Sequence, residues 1–152
     1  MKLHRRERHN GEVVLASGTL VGGEPVLATP LALYVPSRDL TLPWERVAAA
    51  TWDDPELRVV TTGVRQTHAL TLDDAGLLPE VIRERVQASI LVSEHVALTP
   101  RGGARFSARR SPTADAEVRW TVTFDDGMDP EDATLRQLAD GELARMRQTY
   151  GV

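Results

Sequence analysis

The sequence predicts an α+β fold in which a curled antiparallel sheet, closed as a β-barrel or sandwich, is capped by one amphipathic helix. Short β-rich segments separated by turn residues run from residue 12 to residue 72. A helical period follows, and then three further strands and a C-terminal helix. We therefore divide the chain into a flexible N-terminus (1–11), a barrel with its capping helix (12–92) and an extension packed on it (93–152).

The first strands are separated by glycine and proline. Residues 12–21 are rich in β-forming residues and end at Gly22-Gly23-Glu24-Pro25, a typical hairpin turn. Residues 26–35 are again β-rich but contain Pro30. Because proline has no N–H to donate to a ladder, we expect one strand that is bent or bulged at that residue.

The next strands follow in quick succession. Residues 40–42 and 46–52 are predicted strands, although the alanines at 48–50 would also suit a helix. After the turn Asp53-Asp54-Pro55, residues 57–62 and 66–72 are predicted to form a hairpin joined at Gly63. In the second arm His68, Leu70 and Leu72 share one face, which is the period of a strand.

The period then becomes helical. Apolar residues recur every four positions at Leu78, Ile82, Val86 and Ile90, and Pro79 suits the first turn of a helix. This stripe predicts the helix that caps the open end of the sheet.

The last third of the chain predicts three strands and a helix. Residues 94–99 and 104–110 form a hairpin around Gly102-Gly103, and residues 118–124 alternate apolar and polar side chains. Asp129-Pro130 has the pattern of a helix start. The apolar side of that helix is predicted to contain Leu135, Leu138, Ala139, Met146 and Tyr150.

Composition excludes several classes of protein. The chain has no cysteine, which excludes disulfides and thiolate metal sites, and its net charge of −4 disfavours nucleic acid as a partner. No apolar run is long enough for a secretory signal or a membrane-spanning helix. We expect a soluble, cytoplasmic protein.

Residues 27–35, followed by the segment Leu42-Pro43-Trp44-Glu45-Arg46-Val47, resemble small bacterial domains of the pleckstrin-homology-like type. The order of strands followed by one helix agrees with that group. Residues 79–86 and the segment Ala108-Arg109-Arg110 are also similar to uncharacterised actinobacterial proteins of this type. The resemblance covers residues 12–92 and implies a binding or assembly scaffold with no active site to carry over.

Established catalytic and metal-binding motifs are mostly absent from the sequence. No phosphate-binding loop, nucleophile elbow or zinc-protease motif occurs. No two histidines have the helical spacing of a chelating pair, and the acidic pairs at strand ends suit turn capping. We therefore expect no cofactor and no metal.

Two surfaces remain as candidates. Arg101, Arg105, Arg109 and Arg110 cluster around one hairpin and could bind an anion, although a charged strand edge that discourages pairing is the favoured explanation. Trp44, next to Pro43, could lie half exposed at a groove for a partner.

These observations lead to three hypotheses. The first is a non-enzymatic module that binds a protein, a peptide or a second copy of itself. The second is peripheral binding to anionic lipid through the arginine-rich hairpin. The third is a small enzyme that uses His68 or His95 together with an aspartate.

Overall fold

The structure is a computed structural model that describes residues 7–62, 65–112 and 116–152. These residues form two compact units, the first within residues 1–89 and 111–116 and the second within residues 90–110 and 117–152. The described parts contain strands and two α-helices, so the α+β class is confirmed. Gly63, at which we expected a hairpin turn, lies outside the described residues.

In the first unit, the described residues form strands followed by one helix. Their bounds are β1 Arg8–His9, β2 Glu12–Val13, β3 Ala16–Leu20, β4 Pro25–Ala28, β5 Ala32–Val35, β6 Leu40–Pro43, β7 Val47–Asp53, β8 Glu56–Thr61, β9 Thr67–Asp74 and helix α1 Leu78–Ala88.

Strands β3 to β9 form one antiparallel sheet in the order β6-β5-β4-β3-β9-β8-β7. Among the described residues the two outermost strands, β6 and β7, are not paired with each other, so the sheet is open and the predicted closed barrel is wrong. Closure requires the two outer strands to share a ladder. Strand β6 is a poor partner for that ladder because it has four residues and ends at Pro43, which has no N–H to donate.

The predicted bent strand at residues 26–35 is a hairpin. Strands β4 and β5 pair antiparallel, with Leu27 opposite Tyr34 and Ala28 opposite Leu33. The turn is closed by Thr29, whose N–H donates to Ala32 O at 3.0 Å. Pro30 therefore lies in the turn, where its missing N–H costs no ladder bond.

A short hairpin occupies part of the segment that we expected to be flexible. Strands β1 and β2 pair around Asn10-Gly11, and both turn residues have positive φ, 51° and 79°. That is the backbone that a two-residue hairpin turn requires and that Asn-Gly adopts readily.

The core of the first unit lies between the sheet and helix α1. Side chains from the sheet, such as Leu33, Leu57 and Leu70, are fully buried together with Leu78 and Ile82 of the helix. The helix thus covers the apolar face of the sheet, as its stripe predicts.

The prediction that Ile90 continues the buried stripe of helix α1 is wrong. Helix α1 ends at Ala88, and the N–H of Ser89 bonds to the carbonyls of Arg85 and Val86. Ile90 therefore begins the next strand and is 38% exposed, whereas Leu78, Ile82 and Val86 are buried.

The second unit is a three-stranded antiparallel sheet with one helix, as far as the described residues show. Strands β10 Ile90–Thr99, β11 Gly102–Arg109 and β12 Arg119–Phe124 lie in the order β10-β11-β12, and helix α2 spans Ala133–Tyr150. Phe106 and Met146 are fully buried in its core, and Trp120 and Val122 pack partly buried against them.

Gly103 lies opposite Ala97 in the β10–β11 hairpin. A Cβ at this position would lie 1.8 Å from Val96 O and 2.7 Å from Ala97 Cα, so no side chain fits between the two backbones. The Gly103 N–H donates to Asp125 Oδ2 at 2.8 Å, and the Asp125 N–H donates to Gly103 O at 2.9 Å. These bonds attach the end of β12 to β11.

Helix α2 begins later than predicted. Its N-cap is Asp132, whose carboxylate accepts the N–H of Leu135 at 3.0 Å, so Pro130 precedes the helix. Leu135, Ala139 and Met146 are buried as expected, but Leu138 and Tyr150 are exposed. The buried positions are four and seven residues apart, which is the spacing of one helix face.

Candidate functional site

A groove runs along the open edge strand β7 in the first unit. Its volume is about 410 Å³. One wall is formed by Ala50, Thr51, Trp52 and Leu57, and the other by residues of α1, namely Pro79, Glu80, Ile82 and Arg83.

The sequence of β7 explains why this groove exists. Ala50 leaves little side-chain volume at the groove, and the indole of Trp52 supplies a wide apolar wall. Pro79 lies in the first turn of α1, where its missing N–H is tolerated, and lines the groove on the helix side. The result is an apolar floor with a polar rim.

The strand itself has an open side. Within the described residues β7 pairs only with β8, and Ala48, Ala49 and Thr51 are exposed. Every other backbone N–H and C=O of an edge strand points away from its one neighbour and is available for a further strand. A bulge between Val47 and Ala49 limits this open stretch at its start.

Charge at the groove comes from the helix. Among the described lining residues only Glu80 and Arg83 are charged, and both are exposed. They lie at the rim, where they can contact polar groups of a ligand without being desolvated.

A second cleft, of about 380 Å³, lies beside the β1–β2 hairpin and is lined in part by His9, Tyr34 and Asp39. Next to it the Glu12 carboxylate accepts the Tyr34 hydroxyl at 2.5 Å and the Thr29 hydroxyl at 2.8 Å. Burial, and then the hydrogen bond to Glu12, raises the pKa of Tyr34 above its ordinary value. These contacts fasten the hairpin to β5.

A third cavity, of about 470 Å³, lies in the second unit between the β10–β11 turn and the start of α2. It is lined by three aspartates, two of which already bond to backbone. Asp129 Oδ1 accepts the Glu131 N–H at 2.9 Å and Asp132 caps the helix. Nowhere in the described chain do three or more histidine or acidic side chains gather in a way that suits a metal ion.

The histidines of the enzyme hypothesis lie in different surroundings. His95 Nε2 is 2.8 Å from Asp125 Oδ1 on an exposed part of the second sheet. The hydrogen bond from the Gly103 N–H, and then that from His95, lowers the pKa of Asp125. His68 Nε2 is buried and has no hydrogen-bond partner among the described residues. The structure thus brings His95 and one aspartate together outside the cavities described above.

The four arginines of the candidate anion surface do not form one exposed face. Arg101 and Arg105 are exposed, and Arg105 donates to Ser93 Oγ at 3.1 Å. Arg109 is only 5% exposed, and Arg110 is half-buried. Arg105 and Arg109 lie on one face of β11, as strand alternation predicts, but Arg105 is exposed and Arg109 is buried.

Trp44 is not half exposed. Its side chain is 0% exposed in the core of the first unit, and its indole N–H donates to Thr29 O at 2.8 Å. The groove instead uses Trp52, which the sequence analysis did not select. A run of small residues followed by one tryptophan, next to the turn Asp53-Asp54-Pro55, is the signal by which Trp52 could have been found.

Neither helix in the described chain combines the length and apolar composition that crossing a membrane requires. No protein-family model, no curated protein and no solved structure matches this chain. The arguments about function therefore depend on the geometry of the groove and the strand edges.

Proposed function

We propose that this chain is a non-enzymatic binding module whose first unit takes up an extended segment of a partner protein along β7. The observation that carries the proposal is the open edge of β7 directly beside the groove. A segment that pairs with β7 gains backbone hydrogen bonds, and its alternate side chains enter the space between Trp52 and α1. This is recognition by strand addition, in which the edge supplies affinity and the groove supplies specificity.

The composition of the groove supports binding over catalysis. A general acid or base needs a titratable group within hydrogen-bond reach of the substrate. Among the described lining residues only Glu80 and Arg83 have such groups, and both lie at the exposed rim. The wall residues Ala50, Trp52 and Ile82 offer apolar contact area instead.

The topology of the first unit supports a pleckstrin-homology-like interpretation of the module. The antiparallel sheet has seven described strands, β3 to β9, and a helix follows the last of them and packs on the apolar face. This is the element order on which the sequence resemblance is based. We propose the relationship on that order and on residues 27–35 and 42–47.

The test is selection of peptides from a phage-displayed random library on the immobilised full-length chain. We expect enriched peptides that read as short extended strands with an apolar residue at alternate positions. Binding should raise the hydrogen-exchange protection of Val47–Asp53. If no peptide is enriched, or if the enriched peptides protect a different segment, the proposal is wrong.

A matched pair of variants separates the groove from the strand edge. Ala50→Arg places a long side chain in the groove, whereas Ala49→Arg adds the same charge to an exposed neighbour that does not line the groove. We expect Ala50→Arg to weaken peptide binding by at least about tenfold, the equivalent of about 1.4 kcal/mol, and Ala49→Arg to have a smaller effect. Equal losses would show that the groove makes no contribution.

A further inference from the structure

Strand β12, the outer strand of the second sheet, has a sequence suited to pairing with itself. Its residues 120–124 are Trp-Thr-Val-Thr-Phe, all β-branched or aromatic and all uncharged. Natural edge strands are usually protected against pairing by charges, proline or bulges. Within the described residues β12 has none of these between Arg119 and Phe124.

The opposite edge of the same sheet is protected. Strand β10 has register shifts between Ile90 and Val92 and between Ala97 and Thr99, and it exposes Glu94 and His95 near its middle. These features are the ones that discourage the addition of a strand. Because β10 is protected and β12 is not, β12 is the edge at which the second sheet can add a further strand.

The direction of the backbone groups of β12 follows from one hydrogen bond. The Asp125 N–H donates to Gly103 O, which places Asp125 in a hydrogen-bonded position toward β11. Because these positions alternate in an antiparallel pair, Thr121 and Thr123 also face β11. The N–H and C=O groups of Trp120, Val122 and Phe124 therefore point to the open side.

Those three residues are spaced so that a second copy of β12 pairs with them. A two-fold axis at Val122 places Val122 opposite Val122 of the second copy and Trp120 opposite Phe124 of the second copy. Every outward backbone group then faces an outward group of the other chain. The side chains match as well, because the aromatic residues pair across the strands and Thr121 lies opposite Thr123 of the second copy.

The charges at the two ends of the strand complete the match. The same axis places the exposed Arg119 opposite Asp125 of the second copy. The Asp125 carboxylate is directed toward β11 and β10, where it contacts the Gly103 N–H and His95, and it places a negative charge at the end of the strand. Two such pairs form by symmetry, one at each end.

We propose that two copies of this chain associate by antiparallel pairing of β12 about a two-fold axis at Val122, which joins their second sheets into one continuous sheet. The interface is isologous and closes at two copies. It stands on a different strand from the peptide site proposed above, so either proposal can fail without the other.

The first test is the molar mass of the full-length chain, measured by light scattering over a wide range of concentration. We expect a dimer for the unaltered chain and for Ser93→Pro, which places a proline on the opposite edge. Val122→Pro removes an outward N–H that the β11 ladder does not use, and it should give a monomer with an unchanged circular dichroism spectrum. An unaltered chain that stays monomeric, or a dimeric Val122→Pro, would overturn the proposal.

Charge and cross-linking variants test the proposed dimer even if Val122→Pro does not fold. Arg119→Glu turns both end pairs from attraction to repulsion and should weaken the dimer by about tenfold, whereas Arg101→Glu should leave it unchanged. The chain has no cysteine, so Val122→Cys introduces a single thiol near its own counterpart. Mild oxidation should cross-link Val122→Cys into a covalent dimer but leave Ser93→Cys monomeric under denaturing conditions. Failure of both the Arg119→Glu effect and the Val122→Cys cross-link would refute the proposal.

Discussion

At the scale of single residues, one carboxylate links the β1–β2 hairpin to the turn and strand at residues 29–34. Glu12 accepts the hydroxyls of Thr29 and Tyr34 and, at 3.2 Å, the N–H of Leu31. His9 packs edge-on against the Tyr34 ring at 4.5 Å between ring centroids. A carboxylate with several donors in a half-buried place holds its segment more firmly than a typical neutral hydrogen bond does.

We expect Tyr34→Phe and Glu12→Ala each to lower the free energy of unfolding by about 1–3 kcal/mol, because each leaves a partner without its hydrogen bond. The double variant should lower the free energy of unfolding by clearly less than the sum of the two single effects, since both changes remove the same hydrogen bond. Urea unfolding measures all three. Glu80→Ala, at an exposed glutamate of α1, is the control, and simple additivity of the Glu12→Ala and Tyr34→Phe effects would contradict the assignment.

The second prediction at this scale concerns Asp125 and acid. Its pKa is lowered in the folded chain by the Gly103 N–H and then by His95. A carboxyl with a depressed folded pKa contributes stability above its unfolded pKa and loses that contribution as the pH falls through the folded value. The urea midpoint of Asp125→Asn should therefore fall less on acidification than that of the unaltered chain. An Asp125→Asn midpoint that falls as steeply with acidification as that of the unaltered chain would contradict this prediction.

At the scale of elements, α1 is the part that the sequence predicted best. A regular stripe of apolar residues fixes which face of a helix is buried, and Leu78, Ile82 and Val86 follow that rule. Its end was harder to predict, because Ile90 continues the four-residue spacing while the Ser89 hydroxyl, donating to Val86 O at 2.6 Å, ends the helix. A local hydrogen bond decided the boundary, and spacing alone does not reveal it.

Ile82→Ala should lower the free energy of unfolding by about 2–5 kcal/mol, because it leaves a cavity between α1 and the sheet. Leu77→Ala, at a side chain that is 69% exposed just before the helix, should change it by less than about 0.5 kcal/mol. Thermal or urea unfolding measures both. Similar losses for the two variants would mean that α1 does not cover the core as described.

Two turns were predicted wrongly, one at Pro30 and one at Asn10-Gly11. Pro30 was assigned to a bent strand because a proline inside a β-rich run has two explanations, and only the pairing of β4 with β5 distinguishes a bend from a turn. The Asn10-Gly11 hairpin has a strong local signal. We missed it because the charged residues before it favoured a flexible segment.

At the scale of the whole molecule, local patterns predicted the class and most strands but not the order of the sheet. The outer positions of β6 and β7 depend on pairing between residues far apart in sequence, such as Leu20 with Leu72. Hydrophobic spacing contains no information on which strands become neighbours. For that reason the sequence predicted a closed barrel where the described strands form an open sheet.

The candidate site depended on the same long-range information. The groove combines Trp52 with α1 residues that follow it by some thirty positions, and no motif links the two. Trp44 was selected because a tryptophan beside a proline suggested exposure, but the Thr29 carbonyl satisfies its indole N–H inside the core. The sequence predicted that a tryptophan lines a groove, but only the packing of the folded chain shows that this residue is Trp52 and not Trp44.

Gly103 has a consequence for how this chain tolerates change. Because even a methyl group there would collide with the Val96 carbonyl, saturation mutagenesis should return no functional replacement at this codon, including alanine. Neutral substitution is therefore not possible at Gly103. The exposed Gly141 of α2 is the opposite case: no atom lies within 4 Å of an added Cβ, so alanine fits there and increases the helix propensity.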